Sequence, residues 1–244
     1  NDLPIARMYF PHIPKNINEF HTQTKKNVFL SIMLPIALRG NELVLEERNL
    51  MRAAFSSKNI YKIEYLAKKY KVKDFKNINF SNITTSNLSK INKELSIKIN
   101  KIPISIILAQ SIIESGWGTS RFAQEGNALF GQWTWSGEGL KPKDSDKNEG
   151  HKVMKFNVLQ ASVRAYQRNL NTHSSYKNLR KARAELRDRG MPLDSLLLVK
   201  FLNEYAETGE KYVEVLEKII KQNQLKDFDD AKLLPSSIEL ESLI

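Results

Sequence analysis

Residues Pro103 to Gly118 read P-I-S-I-I-L-A-Q-S-I-I-E-S-G-W-G. The apolar positions Ile104, Ile106 to Ala109, Ile112 and Ile113 leave scarcely any polar face, which predicts a helix buried on nearly every side. Pro103 suits its first turn, where a missing N–H costs nothing, and Gly116 suits a left-handed cap at the other end. Glu114 then falls in the final turn. Desolvation by apolar neighbours and the negative end of the helix dipole both disfavour its ionised form there. A carboxyl so placed is expected to hold its proton near neutral pH, as a general acid must. Helix spacing alone favours the alternative, an ion pair with Arg121.

Beyond this helix, Phe130 to Phe156 lose helical period. Strand-like stretches at Gln132–Trp135 and His151–Phe156 flank a polar Gly, Lys and Asp loop and predict a small β-hairpin lobe. Helical spacing returns in four stripes from Leu159 to Ile220. Upstream, Val28 to Ile36 and Leu43 to Phe55 read as two helices of a hairpin, with Pro35 as a kink and Gly40 at the break. Stripes over Ile60–Tyr70 and Leu88–Leu95 follow, the second capped by Thr85 or Ser86. Pro4, Pro11 and Pro14 mark an irregular N-terminal arm. The expected organisation is a mainly α chain: a helical region over 1–98, a helical domain with the β lobe over 99–222, and an extension over 223–244.

Composition narrows the class. With 41% hydrophobic residues the 244-residue chain can bury a substantial core, so disorder throughout is excluded. The longest apolar run, Val28 to Leu38, contains Ser31 and Pro35 and is far shorter than the roughly 20 residues of a membrane span, so no integral membrane segment is expected. Absence of cysteine removes disulfides and thiolate metal sites. The net charge of +11 suits a polyanionic partner, but the lysines are dispersed and no zinc-finger spacing or aromatic RNA-binding signature occurs. Nucleic acid is therefore not the expected partner. His12, His21, His151 and His173 are scattered without an H-E-x-x-H pattern, so neither a metal nor a cofactor is expected. No nucleophile elbow or phosphate-cradling glycine loop is present.

A second motif follows the helix: Gly126-Asn127-Ala128-Leu129-Phe130-Gly131. Together, the A-Q-S-I-I-E-S-G-W-G run from Ala109 and this N-x-x-F-G segment resemble the glucosaminidase domain of glycoside hydrolase family 73, and within it the bacterial Bax-type proteins. The likeness covers residues 100 to about 222; before residue 100 it is loose, around Lys25 to Arg52. It implies a lysozyme-like helical fold and hydrolysis of peptidoglycan glycan strands, with Glu114 as general acid, in the periplasm or cell envelope. Tyr205-Ala206-Glu207-Thr208-Gly209 and Tyr212 resemble the family's Y-A-T segment, with Glu207 standing where the family has Thr. By this likeness Tyr205 lines the cleft and assists near the scissile bond, whereas Tyr212 has the spacing of a core residue.

Glycosidases commonly use a second carboxyl, about 5 Å away for retention and roughly 6.5–9.5 Å for inversion. Glu138, Asp144, Asp146 and Glu149 are available in the polar loop. Glu149, just before the returning strand, is where the family carries its acid; a substrate N-acetyl group acting as nucleophile would leave that acid only an orienting role. Trp133 and Trp135 share a strand face suited to stacking on sugar rings. Asn127 and Phe130 belong to the motif that would line the substrate; for Asn127, holding the loop is the simpler role. Trp117 has the position of a packing residue. Three functions stand open: an endo-β-N-acetylglucosaminidase, a muramidase or lytic transglycosylase cutting after MurNAc, and a non-catalytic glycan-binding protein.

Overall fold

The structure, a computed structural model, describes residues 4–134, 139–141 and 152–236. Its helices are α1 (Thr22–Ser56), α2 (Ile60–Lys69), α3 (Thr85–Lys98), α4 (Ile104–Ser115), α5 (Arg121–Gly126), α6 (Leu159–Thr172), α7 (Lys177–Asp188), α8 (Ser195–Leu198) and α9 (Glu210–Gln222). Strands β1 (Trp133–Thr134), β2 (Gly139–Leu140) and β3 (Lys152–Met154) form an antiparallel sheet in the order β1-β3-β2. The register pairs Trp133 with Val153 and Leu140 with Val153. A mainly α chain with a small antiparallel lobe is what the sequence predicts. The third strand is additional: Leu140, read as part of the polar loop, packs so closely on Gly126 that a Cβ there would lie 2.8 Å from its Cδ1.

The expected hairpin before residue 56 is instead one 35-residue helix, α1, running through Pro35 and Gly40. Gly40 takes no left-handed turn. Proline inside a helix forfeits a hydrogen bond, and here complete burial of Phe29, Met33, Ile36 and Ala37 on the same helix offsets the loss. By length and composition α1 could cross a membrane, with an 18-residue window of mean hydropathy 1.6, and 61% of that window is buried inside the protein. The cap of α3 is Thr84, one residue earlier than expected; its hydroxyl accepts the Asn87 N–H.

Compactness divides the chain into two units. Unit 1 takes residues 1–40, 103–166 and 216–244; unit 2 takes 41–102 and 167–215. In unit 1, α4 is buried at every position except Ile113 and Glu114. Pro103 offers its N-terminus no side-chain cap. Asp229 supplies one from the far end of the sequence, accepting the Ser105 N–H and hydroxyl at 2.8 Å. A carboxylate there satisfies an otherwise orphaned donor and meets the positive end of the dipole. Residues Leu225 to Leu233 are therefore packed against the body: Leu225 is fully buried, and Leu233 forms a parallel bridge with Ile5.

Unit 2 is centred on Val44, Met51, Ile63, Leu66, Ile91, Leu95 and Ile99. Its helix α3 ends without glycine, and its last carbonyls are taken by cations. Arg183, fully buried, donates to the carbonyls of Ile97, Lys98, Asn100 and Lys101 and to Asn171 Oδ1 at 2.8–3.3 Å. Arg48 bonds the Ser96 and Ile99 carbonyls, and Arg187 that of Ser96. Burial and the neighbouring guanidinium groups push Arg183 down to about 9. Lys98 likewise closes the end of α2, donating to the Tyr70 and Lys71 carbonyls beside its ion pair with Glu94.

Candidate active site

Glu114 is the penultimate residue of α4 and, with Ile113, is half-buried where the rest of the helix is closed off. Immediately after it the chain takes three successive left-handed residues: Gly116 (φ 57°), Trp117 (59°) and Gly118 (78°). This spiral turns the backbone away from the helix end. Its hydrogen bonds explain the E-S-G-W-G run: the Ser115 hydroxyl donates to the Ser111 carbonyl and accepts the Gly118 N–H, while the Trp117 N–H closes on Ile112. A side chain at Gly118 would crowd Ile13 and Phe29, each 3.0 Å from its Cβ. Trp117 bears a conformation costing roughly 1 kcal/mol, offset by edge-on packing against Phe29 and by Lys26 over its ring. It is a packing residue, as its place predicts.

One turn before Glu114 on the same face lies Gln110. Its Oε1 accepts the Tyr166 hydroxyl, and the Tyr166 ring stacks on Phe130 with centroids 4.0 Å apart. The next residue, Gly131 (φ 59°), returns to the acid backbone-first: a Cβ on it would lie 3.4 Å from Glu114 Oε2. The second motif thus passes directly beside the carboxylate. Its loop is fastened by Ala128 N–H to the Phe122 carbonyl and Leu129 N–H to Ser162 Oγ. Asn127, left-handed and 5% exposed, gives its amide to the Phe156 carbonyl and to His12, so its side chain holds the loop. Phe130 is 2% exposed, so its ring packs on Tyr166 inside the core.

Arg121 does not pair with Glu114. Its guanidinium goes to Glu125 and to the Lys141 carbonyl. Tyr205 lies in unit 2 at the end of a 3-10 helix (Val199–Tyr205), stacked on Tyr212 at 5.6 Å and tilted against Tyr176 at 6.1 Å. Trp133 opens β1; Trp135, Glu138, Asp144, Asp146 and Glu149 lie outside the described residues. Among the described residues no cluster of three His, Asp or Glu side chains could hold a metal ion. Gln110 and Tyr166 were not singled out from sequence. The signal for Gln110 was available: an amide one turn from the acid in a fully apolar helix needs a buried partner.

The glucosaminidase family, described as mannosyl-glycoprotein endo-beta-N-acetylglucosaminidase, matches the chain over residues 90–225. Protein bax of Escherichia coli (strain K12) is 30% identical over 205 residues, covering 82% of this chain and 70% of that protein. The chain belongs to the glucosaminidase family. The matched span takes in α4, the loop beside Glu114, the β lobe and the Tyr205 segment. Among solved structures, the catalytic domain of the autolysin Auto from Listeria monocytogenes is 18% identical, with a TM-score of 0.42, covering 75% of this chain and 87% of that one.

Proposed function

We propose that the chain is a peptidoglycan hydrolase, an endo-β-N-acetylglucosaminidase that cuts the glycan strand after N-acetylglucosamine with Glu114 as general acid. The observation that carries the reading is the carboxyl of Glu114, at the end of a buried helix and against the backbone of Gly131 in the second motif of a glucosaminidase-family chain. In the reaction Glu114 gives its proton to the leaving glycosidic oxygen, the bond from that oxygen to the anomeric carbon breaks, and water completes hydrolysis at that carbon. Glu149, or the N-acetyl group of the substrate, assists on the opposite face. Trp133 and Trp135 stack on sugar rings, and Tyr205 assists near the scissile bond, a role that rests on its Y-A-E-T-G segment. No cofactor enters this chemistry. The place of work is the cell envelope, where peptidoglycan lies.

The test is Glu114→Gln on purified sacculi. The amide keeps the size of the side chain and cannot donate a proton to the leaving oxygen, so lysis is expected to stop while the unfolding midpoint stays at the wild-type value. Wild-type turnover by this variant would overturn the assignment. Mass spectrometry of the wild-type fragments reads the bond: reducing N-acetylglucosamine ends are expected. Muramic or anhydromuramic ends would make the enzyme a muramidase or lytic transglycosylase, and no fragment at any pH would make it a glycan-binding protein.

A further inference from the structure

Tyr61, Tyr65 and Lys68 stand at i, i+4 and i+7 on α2 and so form one stripe along it. The core of unit 2 takes the opposite stripe, Ile63, Leu66 and Ala67. The tyrosine stripe faces solvent: Tyr61 is 87% exposed and Tyr65 54%. Their Cα atoms are separated by about 6 Å along the helix axis. Lys69 reaches the Tyr65 hydroxyl and ring, which holds that ring outward.

The stripe leads into a groove of about 580 Å³ at the C-terminal end of α2, lined by Lys68, Lys71, Val72, Phe75 and Lys76. Left-handed residues at Lys71 and Asp74 make the turn that brings these lysines to one groove. Asp74 is the single acid of its lining. Glu47 is held by Lys69, and Glu94 by Lys98 and the Lys73 N–H, while Glu64, one turn before Lys68 on α2, is not part of the groove lining. Among the described residues, Lys68, Lys71 and Lys76 have no ion-pair partner. Three exposed ammonium groups against one acid leave the groove cationic at neutral pH.

Exposed aromatic faces beside unpaired cations match a polymer that carries sugar rings and carboxylates together. We propose that unit 2 holds an anchoring surface for peptide-bearing wall glycan, in which Tyr61 and Tyr65 take sugar faces and Lys68, Lys71 and Lys76 take the carboxylates of the stem peptides. The inference rests on the reading of the substrate as peptidoglycan, and it gives the segment before the matched family span a task distinct from bond cleavage.

Sedimentation with purified sacculi at 4 °C and low salt reads the surface independently of turnover. The combined Lys68→Gln, Lys71→Gln and Lys76→Gln variant is expected to lose retention by on the order of tenfold, and Tyr61→Ser with Tyr65→Ser to weaken it as well. The corresponding triple arginine variant should be retained like the wild type. On glycan strands stripped of stem peptides by an amidase, wild type and glutamine variant should bind alike. All variants should cleave a short soluble glycan at the wild-type rate. Unchanged retention of the glutamine variant on sacculi overturns the proposal, as does an equal loss on stripped strands or a larger loss on double-stranded DNA. Failure of the hydrolase reading shows separately, as absence of cleavage with retention intact.

Discussion

Three glycines share a left-handed backbone but differ in what a methyl group would meet, and alanine at each separates conformation, packing and catalysis. At Gly190 (φ 68°) a Cβ would find nothing within 4 Å, so Gly190→Ala reports the backbone term alone, about 1–2 kcal/mol. At Gly118 (φ 78°) the Cβ would press on Ile13 and Phe29 at 3.0 Å. Overpacking adds about 1–3 kcal/mol to the same backbone term, so Gly118→Ala is expected to lose roughly 2–5 kcal/mol. At Gly131 (φ 59°) the single neighbour is Glu114 Oε2 at 3.4 Å. Gly131→Ala should therefore match Gly190→Ala in stability, while its methyl, in contact with Oε2, crowds the carboxyl that must reach the glycosidic oxygen and lowers activity. A substrate misplaced by about 1 Å reacts about a hundredfold more slowly, so crowding by one methyl should lower kcat on sacculi by about tenfold. Thermal unfolding followed by circular dichroism gives the first comparison, with each kcal/mol worth about 2–4 °C in a chain of this length. Turbidity loss of a sacculus suspension gives the second. Full activity in a folded Gly131→Ala protein would refute the placement of the loop against Glu114. A Gly118→Ala protein no less stable than Gly190→Ala would refute the packing of the spiral after it.

What the sequence revealed and what it hid divide along a physical line. Helix α4, its Gly116 cap and the place of Glu114 in its last turn were legible because apolar periodicity and glycine conformation are local signals. The N-x-x-F-G loop was legible as a motif, though its contact with the acid through Gly131 was not. Polar groups buried far apart in sequence leave no spacing signature. Asp229 caps α4 across 124 residues, Tyr166 reaches Gln110 across 56, and Arg183 closes the end of α3 from α7. The need was visible even where the partner was not. A buried helix opening on Pro103 has no cap of its own, and a helix ending at Lys98 without glycine leaves carbonyls that must find donors. Gly40 misled for the converse reason: glycine permits a break, and burial on both sides of it kept α1 continuous.

The charges that close the helices of unit 2 give the remaining predictions. Arg183→Lys keeps the charge, but one ammonium cannot span five acceptors on two sides of a planar fork. With at least two buried acceptors orphaned, the variant should lose about 2–4 kcal/mol in denaturant unfolding; a loss under 1 kcal/mol would show that the fork is not what closes α3. Lys98→Met tests the pH dependence. Burial is the largest influence on Lys98 and lowers its pKa below the ordinary 10.5, against the opposing pull of Glu94. Between the folded and unfolded values the unfolded chain binds the extra proton, so the contribution of Lys98 to stability is least favourable below that window and grows as pH rises through it. Unfolding free energies of wild type minus Lys98→Met should therefore increase on moving upward toward pH 10.5. A difference that stays flat or falls over that interval would mean that Glu94 and the two α2 carbonyls outweigh the desolvation of the ammonium.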